Sequence, residues 1–368
     1  MSRPWTAHRS ATDRLPRQKR IAALNNRFTR LFGNNDTKLR ICDSIIRQAL
    51  PHALLIVGPE GSGKHTLATE IAAAANCVNA EVKLSGARLP CGVCVNCKRI
   101  YSGSFPDVST LGKSSGKATI GVEELRDFRE DMFLSATESK YKFYVIEDAD
   151  LMTPAAQNAL LKVLEEPPSS VHIILLCTEA DKILSTIKSR TQYVQTELFA
   201  PDELRLHTVK LSDTAAALER TDPDRFKAIL LASGGVIGRA LNMIDDGRAD
   251  AVEQRRECVL RFISALPKRA PFSKLYSATM ALPTKREELK STLEDIRNAL
   301  RDLIASRVSD GIAPIFFLTE EELESCASSL TQKRLIEVYD AITSAINDID
   351  NNVVISTLLT DLSVIIKG

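Results

Sequence analysis

Apolar stretches alternate with helical patterns along the first half of the chain. Five stretches have the composition of strands, and the longer ones are apolar at nearly every position, which is typical of strands covered on both faces. They lie at residues 53–57, 108–111, 144–150, 171–177 and 192–197. Helical spacing separates them, at residues 20–50, 64–75, 122–133 and 154–166. Strands that alternate with helices predict an α/β domain, a parallel sheet between two helical layers, over residues 21–199.

Strand patterns disappear after Pro201. Residues 200–246 read as a small helical bundle and residues 247–368 as a second helical domain, which includes a run opened by the capping-box pattern Thr319-x2-Glu322. We find no catalytic pattern in this half. It is predicted to be all-α.

Helix ends in the α/β domain carry local signals. Thr153 and Pro154 have the chemistry of a cap and a first helical position, and Pro167 stops the same helix. The helix predicted at 122–133 has five apolar side chains that we expect to face the core: Val122, Leu125, Phe128, Met132 and Phe133.

The first strand runs into a glycine-rich loop, Gly58-x4-Gly63-Lys64, which also contains Gly61 and opens a helix. Such a loop surrounds phosphate oxygens with backbone N–H groups, and its lysine meets the outer phosphates. The loop therefore predicts a nucleotide-phosphate site. The alternative is a relic loop that keeps its backbone shape but binds no nucleotide.

Acidic residues support the same site. Glu147 and Asp148 close another apolar run, where a nucleotide-bound Mg²⁺ requires a carboxylate. Thr178 follows a third strand. Because ligands of parallel sheets bind beyond the carboxyl ends of the strands, we expect these side chains to lie near the glycine loop.

One position departs from the pattern. The residue after the loop lysine is His65, where a metal-binding Ser or Thr hydroxyl belongs, and Thr66 lies about 100° further round the helix. Mg²⁺ prefers oxygen ligands, so we interpret His65 as a helix residue and not as a ligand. The pattern thus predicts an intact phosphate cradle, with ATP and Mg²⁺ binding in doubt.

Eight cysteines occur in the chain, and four of them are grouped. Two-residue spacers let one turn present successive thiolates, and tetrahedral zinc requires four soft ligands. The sequence predicts a structural Zn²⁺ site at Cys77, Cys91, Cys94 and Cys97. Packed free thiols and an iron–sulfur cluster are the alternatives. The remaining cysteines sit in apolar patterns and are expected in the core: Cys42, Cys177, Cys258 and Cys326.

Charge is nearly balanced, at +1 over 368 residues, so the whole chain lacks the electrostatic footprint of a nucleic-acid binder. Residues 1–30 hold eight Lys and Arg against one acid, which makes this arm +7 and the remainder −6. We predict residues 1–20 as a flexible basic arm, with a mitochondrial presequence as the alternative. No apolar run has the length of a membrane span, and a cytoplasmic location is expected.

Together these motifs resemble the AAA+ subunits of the bacterial DNA polymerase III clamp loader. The resemblance rests on GPEGSGKHT, the cysteine group directly after the P-loop helix, IEDADLMTPAAQNALLKVLEEPP and the Ser189-Arg190-Thr191 triplet, and covers about residues 20–245. It implies an AAA+ P-loop sheet with a zinc module, a helical lid at 200–246 and an all-α collar at 247–368.

Two kinds of AAA+ subunit occur in this family. The motor kind hydrolyses ATP, with Thr after the P-loop lysine and an Asp-Glu pair in the second motif. His65 and the reversed Glu147-Asp148 instead resemble the stator kind, whose own nucleotide site is degraded. By this resemblance Arg190 is an arginine finger acting on a neighbour's ATP, and Arg239 is a lid arginine that touches phosphates in its own chain.

The implied partners are the motor subunits (gamma/tau) and the delta subunit in a hetero-pentamer, with the sliding clamp and primed DNA reached through the complex. Two other functions stay open at this stage. One is a free-standing or motor AAA+ ATPase, and the other is a zinc-containing DNA-binding module that uses the basic arm.

Overall fold

The computed structural model describes residues 30–79, 82–83, 87–88, 90–112, 117–133, 136–245, 249–267, 269–308, 314–351 and 353–367. The predicted basic arm at 1–20 lies outside them. The chain divides into two compact units, residues 1–198 and 199–368.

A parallel sheet of five strands, counted over the described residues, forms the centre of the first unit, in the order β4-β5-β6-β1-β7. A two-residue antiparallel pair, β2 with β3, stands apart from it. The strands are β1 (Ala53–Val57), β2 (Val82–Lys83), β3 (Ala87–Arg88), β4 (Val108–Leu111), β5 (Lys142–Ile146), β6 (Val171–Cys177) and β7 (Gln192–Gln195).

Helices cover both faces of this sheet. They are α1 (Asn35–Ile46), α2 (Lys64–Ala75), α3 (Val95–Tyr101), α4 (Val122–Met132), α5 (Pro154–Glu165) and α6 (Ser185–Lys188). Alternate residues of β1 serve the two faces: Leu54 and Ile56 pack with α1, α2 and α3, whereas Leu55 packs with α4 and α5. Two apolar layers of this kind require a strand without polar positions, which is the pattern in the sequence.

Helix α4 corrects one prediction. Leu125 and Met132 are buried, but Val122 is 37% exposed and Phe133 57% exposed. Val122 is the first residue of the helix and Phe133 follows its last, so both lie beyond the turns that cover the sheet. Predicting an inner face for all five apolar side chains was therefore wrong.

The second unit is helical throughout its described residues. Its helices are α7 (Pro201–Leu211), α8 (Asp213–Thr221), α9 (Pro223–Ala232), α10 (Ile237–Asp245), α11 (Ala249–Ser264), α12 (Phe272–Met280), α13 (Arg286–Ala305), α14 (Glu320–Ala327), α15 (Gln332–Asp350) and α16 (Ile355–Lys367). Two apolar clusters lie within it, one centred on α7 to α10 and one on α11 to α16. No helix among the described residues is long and apolar enough to cross a membrane.

The predicted capping box at the start of α14 is half formed. The Glu322 backbone N–H donates to Thr319 Oγ1 at 3.2 Å. The Glu322 carboxylate instead accepts from the backbone N–H of Leu318 at 3.2 Å and from the guanidinium of Arg256. The Glu322 carboxylate bonds buried Arg256 and not the backbone N–H of Thr319, because a charged donor forms the stronger hydrogen bond.

The cysteines outside the predicted zinc group differ in burial. Cys42 and Cys177 are fully buried, as predicted. Cys258 and Cys326 are only partly buried, so assigning them to the core was wrong. Both lie on helices of the second unit, where they pack at the margin of the larger apolar cluster.

Candidate functional site

The glycine loop after β1 has the backbone shape that a phosphate cradle requires. Gly61 and Gly63 have φ values of 80° and 84°, a left-handed conformation that favours glycine. Helix α2 begins directly after Gly63, so its first N–H groups point into the loop. A Cβ added to Gly63 would come within 2.9 Å of Leu31 Cδ1, which shows that the segment before α1 packs on the loop.

Gly58 is required for a different reason, the close approach of the chain after β7. A Cβ at Gly58 would stand 1.8 Å from Thr196 Oγ1 and 2.8 Å from Ser62 Oγ. Thr196 is buried, and its hydroxyl lies 2.9 Å from Ser62 Oγ and 3.3 Å from the Val57 carbonyl. Thr196 therefore supports the loop from the edge strand, a role that sequence reasoning missed.

Lys64 is folded onto its own loop. Its Nζ donates to the carbonyls of Gly58 at 2.6 Å and Pro59 at 3.0 Å and lies 3.4 Å from Thr178 Oγ1. Burial lowers the pKa of Lys64, and the carboxylate of Asp150 opposes this shift. The predicted lysine and the threonine of β6 are thus brought together, at the carboxyl end of the sheet.

The imidazole of His65 is hydrogen-bonded to the carboxylate of Glu147. His65 Nδ1 lies 2.6 Å from Glu147 Oε1, with the two side chains 60% and 38% exposed. The hydrogen bond from His65 lowers the pKa of Glu147, and the same bond raises the pKa of His65. The contact joins the first turn of α2 to the end of β5. His65 stands at the position that should supply a metal-binding hydroxyl, and there it bonds the carboxylate of Glu147 instead.

This pair does not fit the Mg²⁺ ion that the family resemblance implies. Mg²⁺ requires oxygen ligands in a near-octahedral arrangement. At this edge of the sheet His65 offers nitrogen, and it already bonds one oxygen of Glu147. The other oxygen faces β4, since a Cβ added to Gly112 would lie 3.2 Å from Glu147 Oε2.

The remaining acids after β5 have separate positions. Asp148 is exposed and adopts φ 47°, a left-handed turn that Asp tolerates better than most residues. Asp150, which sequence reasoning missed, accepts backbone N–H bonds from Thr178 at 3.3 Å and Glu179 at 3.2 Å. Asp150 therefore ties the end of β5 to the end of β6 and holds Thr178 beside Lys64.

Arg190 lies just after α6, away from the glycine loop in sequence. Its guanidinium bonds Glu165 Oε1 at 2.6 Å, the carbonyl of Thr186 at 3.0 Å and Ser189 Oγ at 3.3 Å. The pair is solvent-accessible, with the side chains 35% and 50% exposed. Thr191 turns inward, its hydroxyl 3.1 Å from the Ile187 carbonyl.

Two predicted residues have less defined roles. Thr66 is half-buried on the first turn of α2. Arg239 is exposed on α10 of the second unit.

Four thiols form one cluster in the first unit. The Sγ atoms of Cys77, Cys91, Cys94 and Cys97 all lie within 4.8 Å of one another, and Cys77 Sγ is 4.0 Å from Cys94 Sγ. Tetrahedral zinc with Zn–S distances of about 2.3 Å requires sulfurs about 3.8 Å apart. The donor set and its spacing fit zinc. Cys77 follows α2, whereas the other three surround the start of α3.

Backbone donors stabilise the thiolate of Cys94, whereas burial raises the pKa of Cys77 and of Cys97. The Cys94 N–H points to Cys91 Sγ at 3.3 Å, and the Cys97 N–H to Cys94 Sγ at 3.4 Å. Burial alone raises the pKa of Cys94, but N–H donation, first from Cys97, lowers it to about 6. Gly92, with φ 72°, provides the turn between Cys91 and Cys94.

Comparisons with known proteins find similarity to subunits of DNA polymerase III. The family model described as "DNA polymerase III, delta subunit" matches residues 33–199. DNA polymerase III subunit tau of Bacillus subtilis (strain 168) is 29% identical over 275 residues, 75% of this chain and 46% of that protein. Subunit delta' of the same organism is 26% identical over 327 residues, 88% of this chain and 93% of that protein.

A solved structure, a gamma subunit-related protein of DNA polymerase III from Thermotoga maritima, aligns over 90% of this chain and 98% of that one, at 18% identity and a TM-score of 0.36. The chain spans less than half the length of the tau relative.

The parallel sheet order and the P-loop after β1 define an AAA+ P-loop protein. These similarities support a clamp-loader AAA+ family member.

Proposed function

We propose that the chain is the stator subunit, delta-prime, of the DNA polymerase III clamp loader. In this role it takes part in ATP-dependent loading of the sliding clamp on primed DNA without turning over ATP itself. The observation that carries the proposal is the contact between His65 Nδ1 and Glu147 Oε1 at 2.6 Å. A motor subunit needs a hydroxyl and a free carboxylate at these two positions to hold the catalytic metal.

Coverage of the relatives supports the same choice. The similarity to subunit delta' extends over 93% of that protein, whereas the similarity to tau stops at 46%. Within the clamp-loader family, a match along nearly the whole length favours the delta-prime role.

Arg190 is the residue that we propose to act on a neighbour. Its side chain is accessible, and its bond to Glu165 is a surface ion pair, which contributes about 0–1 kcal/mol and is easily exchanged for a phosphate. A guanidinium that reaches the γ-phosphate of an adjacent motor subunit stabilises the charge that develops in the transition state. Nη1 of the guanidinium also donates to the Thr186 carbonyl and the Ser189 hydroxyl, and these two bonds orient the side chain.

The remaining parts of the proposal follow the family. The cysteine cluster binds one structural Zn²⁺, and in the second unit residues 200–246 form the lid and residues 247–368 the collar. Arg239 is the lid arginine. Partners are the motor subunits (gamma/tau) and the delta subunit, with clamp and DNA contacts made through the complex, and the location is cytoplasmic, as expected for a replication subunit.

A reconstituted complex tests the proposal. The chain alone should show almost no ATPase activity, and the complex with motor and delta subunits should show DNA-stimulated activity. Arg190→Ala should lower kcat of the complex by at least about tenfold, since trans-acting arginines are worth 10³–10⁵ elsewhere. Arg126→Ala is the matched control, because Arg126 is also an exposed, ion-paired arginine of the first unit.

Full activity of the complex with Arg190→Ala would contradict the finger role. An unchanged pentamer in size-exclusion chromatography would show that any loss is not a failure of assembly.

A motor or free-standing ATPase is the second candidate. The intact glycine loop with Lys64 favours it, as does the similarity to tau. Brisk hydrolysis of ATP by the isolated chain would select this candidate over the stator.

A further inference from the structure

The mismatch between the P-loop and Mg²⁺ leads to a specific expectation about its ligand. The phosphate-facing parts of the loop are in order: Gly61 and Gly63 keep their left-handed backbone, and α2 directs its first N–H groups into the loop. Lys64 Nζ stands at the loop, bonded to the Gly58 carbonyl at 2.6 Å. Phosphate oxygens exchange readily with such carbonyls as partners of a lysine, since their bond to it is charge-assisted at both ends.

The metal-facing parts are altered at two points. His65 places a nitrogen where a hydroxyl belongs, and Mg²⁺ dehydrates reluctantly and prefers oxygen ligands. Glu147 contributes one oxygen to His65 at 2.6 Å and packs the other toward Gly112. Asp148 is exposed and stands on a turn outside the strand, and Asp150 accepts bonds from the backbone N–H groups of Thr178 and Glu179.

Positively charged groups that can offset the negative charge of bound phosphates are nevertheless present at the loop. Lys64 and the N-terminus of α2 together supply positive potential at the loop. The imidazole of His65 lies one residue further along the same turn, 60% exposed and oriented by Glu147. Because Nδ1 donates to Glu147, Nε2 of His65 donates to a phosphate oxygen in the protonated imidazole, the form that Glu147 favours by raising the pKa of His65.

We infer that this P-loop binds the phosphates of a nucleoside di- or triphosphate without Mg²⁺, with the His65–Glu147 pair in place of the metal seat. The inference deepens the proposed stator function and rests on it, since a nucleotide held without metal is a structural ligand that is not hydrolysed. It concerns binding by this chain, whereas the stator function concerns Arg190 and a neighbour's ATP.

Equilibrium titration of the purified full-length chain with ADP and with ATP, each in EDTA and in excess MgCl₂, tests it. The dissociation constants with and without Mg²⁺ should agree within about twofold, a difference of about 0.4 kcal/mol. His65→Thr restores the hydroxyl and frees Glu147, so Mg²⁺ should tighten nucleotide binding to this variant by about tenfold or more. His52→Thr, an exposed histidine at the opposite end of β1, is the control and should behave as wild type.

Binding of nucleotide to the wild type only with Mg²⁺, or clearly tighter with it, would overturn the inference and point to Asp148 as a metal ligand. Absence of binding in both conditions would also overturn it. Neither result touches the stator function, which the Arg190→Ala measurement in the complex decides separately. The wild-type comparison is decisive even if His65→Thr fails to fold.

Discussion

The two ends of helix α2 carry the two candidate sites of the first unit, and they differ in completeness. At the start of the helix, the glycine loop keeps its backbone and Lys64, but His65 and Glu147 bond each other where a metal should sit. Beyond its end, Cys77 joins three other thiols within 4.8 Å. The helix has twelve residues, so the sites are about 18 Å apart.

The difference reflects what each metal would do. A structural zinc site is closed by four protein ligands and stabilises the fold, so losing one ligand has an immediate cost. A catalytic magnesium site contributes to turnover and much less to stability. A subunit that assists a neighbour's hydrolysis can therefore lose its own metal seat and still keep the loop as a rigid connection between β1 and α2.

The largest expected effect is at the zinc end. Cys97→Ser removes a fully buried ligand, so zinc content should fall well below one per chain and the melting temperature should drop by about 10 °C or more, since metal binding is part of the folding free energy. Elemental analysis and thermal unfolding measure both. Cys258→Ser, at a half-buried thiol of the second unit, is the control and should keep its zinc. Metal-free wild type of equal stability would refute the assignment.

A smaller effect is expected in the phosphate cradle. Gly58→Ala places a Cβ 1.8 Å from Thr196 Oγ1, so Thr196 and the loop must shift, at a cost of about 1–3 kcal/mol in the free energy of unfolding. Gly112→Ala, whose Cβ meets only the end of a Glu147 side chain at 3.2 Å, should cost less. Urea denaturation compares them. Equal stability of both variants would mean that Thr196 does not support the loop.

The smallest expected effect is the pH dependence of the His65–Glu147 pair. Because Glu147 raises the pKa of His65, the contribution of His65 to stability is fully present below its unfolded pKa of about 6.5 and is lost as pH rises through the raised folded pKa. Compared with His65→Thr, the wild type should thus have its advantage near about pH 6 and lose it at alkaline pH. An advantage that grows with pH would contradict the pairing.

Sequence alone predicted the strands at 53–57 and 171–177 with the observed ends, and the start of α5 at Thr153 and Pro154. Continuous apolar runs and proline positions are local signals, so they survive without knowledge of the fold. The glycine loop and the four-cysteine spacing were equally readable. The exposed positions of Val122 and Phe133 were not, because helical spacing does not say where a helix extends past its sheet.

Tertiary structure alone decided which distant side chains meet. His65 and Glu147 come together because β1 and β5 lie in one parallel sheet, one strand apart, so that both carboxyl ends open at the same edge. The same geometry brings Asp150 to the backbone of Thr178 and Thr196 to Gly58. The sequence shows that each of these residues lies near the end of a strand. Which residue it meets depends on the order of the strands in the sheet, and that order depends on packing across the whole domain.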